Sequence, residues 1–344
     1  MTHILVTGAA GFIGSNFVDL VLAERPDVTA VTGVDKLGYA GDRRNVDAAL
    51  RDDRFRFVEG DISNEELAMK LTAEADEVAH FAAESMVDRS VLNPRAFLES
   101  NVLGTGALLQ GSRMNGIKRF LQISTPEVYG ERMGAPAAER EALFPRNIYA
   151  GSKAAAEMLC SAYLQSFKVP IVFTRGSVAI GPRQHPEKVT PRWITAALQD
   201  SPLPVYGDGS AVRDFIHVDD LNRANSLVLQ MGVVGTAYNV ISRNESSLKD
   251  LAHRILDHLE KPRSLAEFTV DRVAHDYNYK MDDSGIRALG WKPTRTHDEA
   301  VADTIDWYRS NASWWQPKVA SQEFNEYLAA SSAARSEFAA RNAG

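Results

Sequence analysis

Residues 4–6 form a short apolar run, Thr7-Gly8-Ala9-Ala10-Gly11-Phe12-Ile13-Gly14 follows, and Phe17, Val18, Leu20, Val21 and Leu22 then suit a buried helix face. Strand, glycine turn and helix in that order leave few folds open. Gly8 permits a tight turn, Gly11 a close approach of backbone to a pyrophosphate, and Gly14 close packing of helix on strand, while the helix N-terminus offers unpaired N–H groups to an anion. A second apolar run ends in Asp35, about twenty residues on, where an acid accepts hydrogen bonds from an adenosine ribose. This spacing predicts a dinucleotide site of Gly8, Gly11, Phe12, Ile13, Gly14 and Asp35, with NAD favoured over NADP. Lys36, beside the acid, is a cation that could tolerate a 2′-phosphate. Three glycines in an ordinary strand–helix turn are the plainer alternative.

Further apolar runs at 55–58, 77–81, 120–123 and 171–175 alternate with helical patterns, which predicts an α/β fold, a Rossmann-like doubly wound parallel sheet. After Gly176 the rhythm breaks into Pro- and Gly-bearing loops, and a smaller C-terminal substrate-binding lobe is expected there. The predicted division gives 1–175 to the dinucleotide domain, with about 215–243 and 294–315 returning to it, 176–214 and 244–293 to the lobe, and 316–344 to a tail. The Ala/Ser-rich end of that tail, 329–344, reads as a surface helix or disorder and is assigned no function.

The 344 residues exceed a typical single core. A net charge of −7 and the lack of any basic run argue against nucleic acid. The single cysteine, Cys160, reads as a buried small hydrophobe, and no residue spacing suggests a metal site. No apolar stretch approaches the ~20 residues that span a bilayer, and no signal peptide is evident. A cytoplasmic enzyme with a small substrate is predicted.

The chemistry is carried by two segments. Ser124-Thr125-Pro126-Glu127 follows a predicted strand, so its side chains emerge at a carboxyl end, where open α/β sheets place active sites. Tyr149 and Lys153 then share one helix face at i and i+4. An ammonium near a phenol favours phenolate, and a positive nicotinamide adds to that effect, so Tyr149 is expected to act as base near neutral pH despite a reference pKa of ~10. A Tyr-x-x-x-Lys spacing alone is more often accidental; after a glycine fingerprint and a Ser-Thr strand end it is a strong signal. Trp307, Tyr308, Trp314 and Trp315 read as core packing, and His217 as a hydrogen-bonded structural or substrate-rim residue.

The chain resembles the extended short-chain dehydrogenases/reductases, and within them the dTDP-glucose 4,6-dehydratases. The resemblance is carried by Val34-Asp35-Lys36-Leu37 with Tyr39-Ala40-Gly41, Gly60-Asp61-Ile62, Ala82-Ala83-Glu84-Ser85 with Val87-Asp88-Arg89-Ser90, Asn101, Pro186-Glu187-Lys188, Arg213-Asp214 and Leu289-Gly290-Trp291. It implies a sugar nucleotide oxidised at C4 by bound NAD. Tyr149 would be the base, Lys153 would bind the nicotinamide ribose, and Thr125 would align the hydroxyl. Glu127 would take the C5 proton before water leaves from C6. The resemblance also implies cofactor contacts from Lys36, Asp61, Ile62, Ala82 and Asn101, and substrate contacts from Ser85, Lys188, Arg213 and His275. Arg213 suits a diphosphate by its planar fork; Lys188 reads equally as a solvated surface charge. A homodimer through a four-helix bundle, built from 101–114 and 152–167, is implied as well.

Four departures stand out. Pro126 occupies the place of an aspartate that protonates the leaving hydroxyl, Val178 that of an asparagine, Met86 that of a histidine, and Asn278 that of an arginine that follows the pair His275-Asp276. Related GDP-mannose 4,6-dehydratases carry serine where Pro126 stands and still eliminate water. The same Ser-Thr-x-Glu-Val-Tyr pattern resembles 4-epimerases and UDP-glucuronate decarboxylases, which leave those reactions open. A non-catalytic NAD-binding protein is the remaining alternative.

Overall fold

The computed structural model describes residues 2–271, 276 and 278–342. Strands β1 (Thr2–Thr7), β2 (Val28–Asp35), β3 (Phe55–Glu59), β4 (Glu77–His80), β5 (Arg119–Ser124), β6 (Ile171–Gly176) and β10 (Ala237–Val240) form one seven-stranded sheet. Its order is β10-β6-β5-β4-β1-β2-β3, and every pairing is parallel. The strands are near-continuous apolar runs because helices cover both faces. α1 (Phe12–Glu24) and α8 (Val218–Met231) cover one face, where Phe17, Val18, Val21, Ala224 and Val228 pack on Ile4, Val31 and Leu121. On the other face, α2 (Glu65–Ala73), α5 (Gly104–Asn115) and α6 (Ile148–Phe167) bury Leu71, Leu108 and Cys160 against Leu5, Val78 and Phe120. Cys160 is thus the buried small hydrophobe expected of it. Strand order reverses between β1 and β4, so the crevice at their carboxyl ends is the place for a ligand.

A second core lies beyond β6. It holds β7 (Val178–Ile180), β9 (Val212–His217) and β11 (Glu245–Ser247) in one small sheet, and β8 (Leu203–Tyr206) with β12 (Ala266–Thr269) in another. α7 (Val189–Leu198), α9 (Leu248–His258), α11 (His297–Ser310) and α12 (Ala312–Val319) close it around Trp193, Phe215, Ile255, Tyr308 and Trp315. The tryptophan-rich group is core packing, as expected. Residues 294–315, however, do not return to the large sheet: Val301, Ile305 and Tyr308 face α7 and α9, because the apolar stripe of α11 matches the lobe's core. Two short helices, α3 (Val87–Leu92) and α4 (Pro94–Phe97), and one turn of π-helix (Leu98–Leu103) lead into α5. α10 (Ser284–Ala288) packs near β10, and α13 (Gln322–Asn342) ends the described chain. The tail is therefore a helix, and not a wholly exposed one: Ser331 and Arg335 are 3% and 8% exposed.

A buried ion pair pins α6 to β6. Arg175 donates from Nε to Glu157 Oε1 (3.0 Å) and from Nη2 to Oε2 (2.5 Å), and from Nη1 to the Tyr129 hydroxyl and the Glu139 carbonyl. The pair holds the guanidinium pKa above its usual value against the opposing effect of burial. Removing one partner of a buried pair leaves the other charge uncompensated. Glu157→Gln is expected to cost about 3 kcal/mol, seen as an earlier unfolding midpoint in urea.

Candidate active site

The glycine turn sits at the strand-order reversal. Gly8 has φ +67°, and a methyl there would lie 2.7 Å from the Ala82 nitrogen. A methyl on Gly14 would run into the Gly8 carbonyl, so α1 can lie this close to β1 only without a side chain. Asp35, at the end of β2, accepts from the backbone N–H of Ala10 (3.0 Å) and of Leu37 (2.8 Å), and its burial raises its carboxyl pKa. Asp35 thus shapes the turn as well as facing the cleft. Lys36 is matched by protein groups, with Nζ 3.0 Å from Glu84 Oε1 and 3.1 Å from Ser100 Oγ. Lys36 thus lines the cleft with its charge paired to Glu84. Phe12, Ile13, Asp61, Ile62 and Ala82 line the same cleft. The positive-φ turn, the bare helix N-terminus and the acid at the next strand end fit a dinucleotide. Gly14→Ala is expected to destabilise by about 1–3 kcal/mol through overpacking, and to lower the cofactor content of the purified protein, read by absorbance after denaturation.

Asn101 lies elsewhere than expected. It does not line the cleft, because its amide is satisfied by protein: Oδ1 accepts from Glu84 N (2.8 Å), and Nδ2 donates to Glu84 O (3.0 Å) and Ser152 Oγ (2.8 Å). It therefore positions the Glu84 backbone and α6 from behind the cleft wall. Behind it, buried His80 bridges Thr7 Oγ1 (2.7 Å) and Thr105 Oγ1 (2.9 Å), and burial lowers its pKa to about 3. A neutral imidazole so ties the glycine turn to α5. Neither contact is visible in any local pattern.

The reactive end gathers Thr125, Glu127, Tyr149 and Lys153 in that cleft. Thr125 caps a 3-10 turn (Pro126–Tyr129), accepting from Glu127 N (3.3 Å), and Pro126 fills the first position of that turn, where no N–H is needed. Its side chain is buried and carries no exchangeable proton. The Thr125 side chain works against the rise in the Tyr149 pKa. Asn147 does two jobs: Oδ1 accepts from Ala150 N (2.8 Å) to cap α6, and Nδ2 donates to Glu127 Oε2 (2.9 Å). An asparagine just before a helical run is a cap signal, so this residue was findable. Lys153 Nζ donates to the Ile123 carbonyl (2.6 Å), burial lowers its pKa to about 8, and Glu157 opposes that shift. The Tyr149 pKa is instead raised, by burial and then by the Glu127 charge. In the protein alone Lys153 is engaged by a carbonyl, and burial with the Glu127 charge opposes ionisation of the phenol.

Toward the lobe, Ser85, Lys188 and Arg213 line the cleft, as do Met86 and Val178. Lys188 is no solvated surface charge, since its Nζ donates to Ser85 O (2.6 Å). Arg213 is only partly available as a fork: it donates to the carbonyls of Val212 (2.8 Å) and Asp276 (2.5 Å), and its guanidinium lies 4.6 Å from the Tyr279 ring centre. His275 lies outside the described residues. His217 is structural, accepting at Nδ1 from Asp219 N (3.2 Å) to cap α8. Among the described residues no helix is long and apolar enough to cross a membrane.

Comparison with known proteins bears on this arrangement. The family described as GDP-mannose 4,6 dehydratase matches residues 5–304. The dTDP-glucose 4,6-dehydratase of Actinoplanes sp. is 44% identical over 317 residues, covering 91% of this chain and 99% of that protein. The dTDP-glucose 4,6-dehydratase of Mycobacterium tuberculosis is 42% identical, covering 92% and 96%. In structure, the dTDP-glucose 4,6-dehydratase of Streptomyces venezuelae, crystallised with NAD, superposes with a TM-score of 0.90 at 40% identity, covering 92% of this chain and 99% of that one. The UDP-glucuronic acid 4-epimerase of Bacillus cereus, also with NAD, gives 0.84 at 29% identity, covering 90% and 99%. Glycine turn, Tyr149–Lys153 helix and matched sequence agree: the chain belongs to the GDP-mannose 4,6-dehydratase family, within the extended short-chain dehydrogenases/reductases.

Proposed function

We propose that this protein is an NAD-dependent 4,6-dehydratase of a nucleoside-diphosphate hexose. The observation that carries the reading is the convergence of Thr125, Glu127, Tyr149 and Lys153 in one cleft with the glycine turn and Asp35. The relatives named above, nearly full-length matches, support the same reaction class. Bound NAD would accept the C4 hydride, return it to C6, and bring a positive charge beside the phenol. That charge counters the burial that keeps Tyr149 protonated in the protein alone. Tyr149 would then take the C4 hydroxyl proton, with Thr125 aligning the oxygen. Lys153 lies one turn on, where it can exchange the Ile123 carbonyl for the cofactor's ribose. The C4 ketone acidifies C5–H, and Glu127, held by Asn147, would remove that proton. Pro126 cannot protonate the departing C6 oxygen, so Glu127 would deliver the proton that it took from C5 and, once the hydride is on C6, pass a solvent proton back to C5 while Tyr149 releases its own to solvent. The balance is loss of one water.

Gly8, Gly11, Phe12, Ile13, Gly14, Asp35, Asp61, Ile62 and Ala82 would hold the dinucleotide, and Ser85, Lys188 and Arg213 the sugar nucleotide, with His275 proposed there from sequence alone. Exposed Leu103 (62%), Met158 (54%) and Phe167 (44%) on the α5 and α6 side support a homodimer through these helices. A 4-epimerase is the second reading, favoured by Pro126 and by the epimerase likeness. Mass spectrometry after incubation with dTDP-glucose, UDP-glucose, UDP-N-acetylglucosamine and UDP-glucuronate tests both. Loss of water is expected; an unchanged mass at a new retention time would mean epimerisation, and loss of carbon dioxide decarboxylation.

A further inference from the structure

Helix α13 lies wholly beyond the stretch that the family match covers. Its Ala- and Ser-rich sequence hides a stripe at Phe324, Tyr327, Ser331 and Arg335, all buried, at the three- and four-residue spacing of one helix face. A charged side chain is not buried without partners, and those of Arg335 lie on both sides of the cleft.

On one side is Asp88, in the first turn of α3. Asp88 Oδ2 accepts from Ser331 Oγ (2.7 Å) and from Arg335 Nη1 (3.2 Å), and the same Nη1 donates to Ser331 Oγ (2.6 Å). On the other side is Tyr206, the last residue of β8 in the lobe. The Arg335 guanidinium carbon stands 4.7 Å from its ring centre, and the Tyr206 hydroxyl accepts from Arg192 Nη1 (3.0 Å). Tyr206 and Arg192 both line the cleft. Two turns earlier, Tyr327 presses on Arg89 (4.3 Å), whose guanidinium also lies 3.7 Å from the ring centre of Tyr39, in the cleft wall. α13 so braces the outer end of the cleft from both walls.

We propose that Arg335 is a positioning residue for the sugar-nucleotide cleft: by binding Asp88 on α3 and the Tyr206 ring on β8 together, it holds the lobe against the dinucleotide domain and sets substrate affinity through Tyr206 and Arg192. Fold stability alone is a poor reason to keep such a pair, because apolar residues in place of a buried ion pair are often neutral or stabilising. A tie between two packed bodies, by contrast, acts on their opening and closing, the motion that admits and releases substrate.

The inference rests on the sugar-nucleotide reading. Arg335→Ala, Arg335→Lys and Ser331→Ala are to be compared with wild type in kcat, KM, bound NAD and thermal midpoint, with dTDP and UDP binding followed by calorimetry. Arg335→Ala is expected to raise KM and the diphosphate Kd about tenfold, with kcat and NAD content unchanged. Arg335→Lys keeps the charge without the planar fork and should fall between, and Ser331→Ala, a milder change, should shift KM in the same direction. An active Arg335→Ala protein with wild-type KM and Kd overturns the inference alone. So does a variant whose KM, kcat, NAD content and midpoint all worsen together while Ser331→Ala behaves as wild type, because that pattern marks a purely structural contact. A wild-type protein that transforms no sugar nucleotide and binds neither diphosphate overturns the functional reading, and this inference falls with it.

Discussion

Tyr149→Phe is expected to reduce turnover by about 10²–10⁴-fold, the usual contribution of a positioned acid–base group, while bound NAD stays at the wild-type level. The substitution removes one oxygen and leaves the ring. Its edge contact with Phe97, 6.3 Å between centres, persists, and so does the Lys153 bond to the Ile123 carbonyl. What disappears is the hydroxyl that would receive the C4 proton. Burial and the Glu127 charge both raise the phenol pKa, so deprotonation depends on the positive ring of the cofactor. Wild-type kcat/KM should therefore show a limb that rises with pH, and the residual activity of the variant should lack it. Product mass and cofactor content, measured on one preparation, check both halves. A fully active variant would remove Tyr149 from the reaction.

The parts of this site that the sequence exposed are those set by local geometry. The glycines at 8, 11 and 14 are legible because a positive φ at Gly8 and the near contact of Gly14 with the Gly8 carbonyl tolerate no side chain. Tyr149 and Lys153 are legible because a helix fixes i and i+4 on one face. What stayed hidden depends on contacts between distant segments. Asn101 meets Glu84 and Ser152, 17 and 51 positions away, and these contacts satisfy it behind the wall. The Arg175–Glu157 pair joins a strand to a helix, and the partners of His80 lie 73 and 25 positions off. Lys153 sits where its spacing predicts, yet rotamer and hydrogen bond decide which oxygen it meets, and neither is written in a spacing. The apolar pattern of residues 294–315 suits either core, and the facing helices set it on the lobe. In α13 small residues mask the buried stripe, and composition reads as surface.

Glu127→Gln separates the two readings that Pro126 leaves open. The amide has nearly the shape of the carboxylate and can still accept from Asn147 Nδ2, which stands 2.9 Å from Glu127 Oε2. The packing of the turn should survive, but the amide cannot take a proton from C5. In a dehydratase no second group at position 126 shares the work, because proline has nothing to donate. Water loss is accordingly expected to fall by about 10²–10⁴-fold, and deuterium from heavy water should no longer enter at C5. The wild-type protein should incorporate that label and lose water together, since one carboxyl would serve both steps. An epimerase asks only for removal and return of the C4 hydride, with no proton taken from C5. A Glu127→Gln protein that inverts C4 at the wild-type rate, without label at C5, would therefore assign this cleft to epimerisation; one that oxidises C4 and halts there assigns it to dehydration.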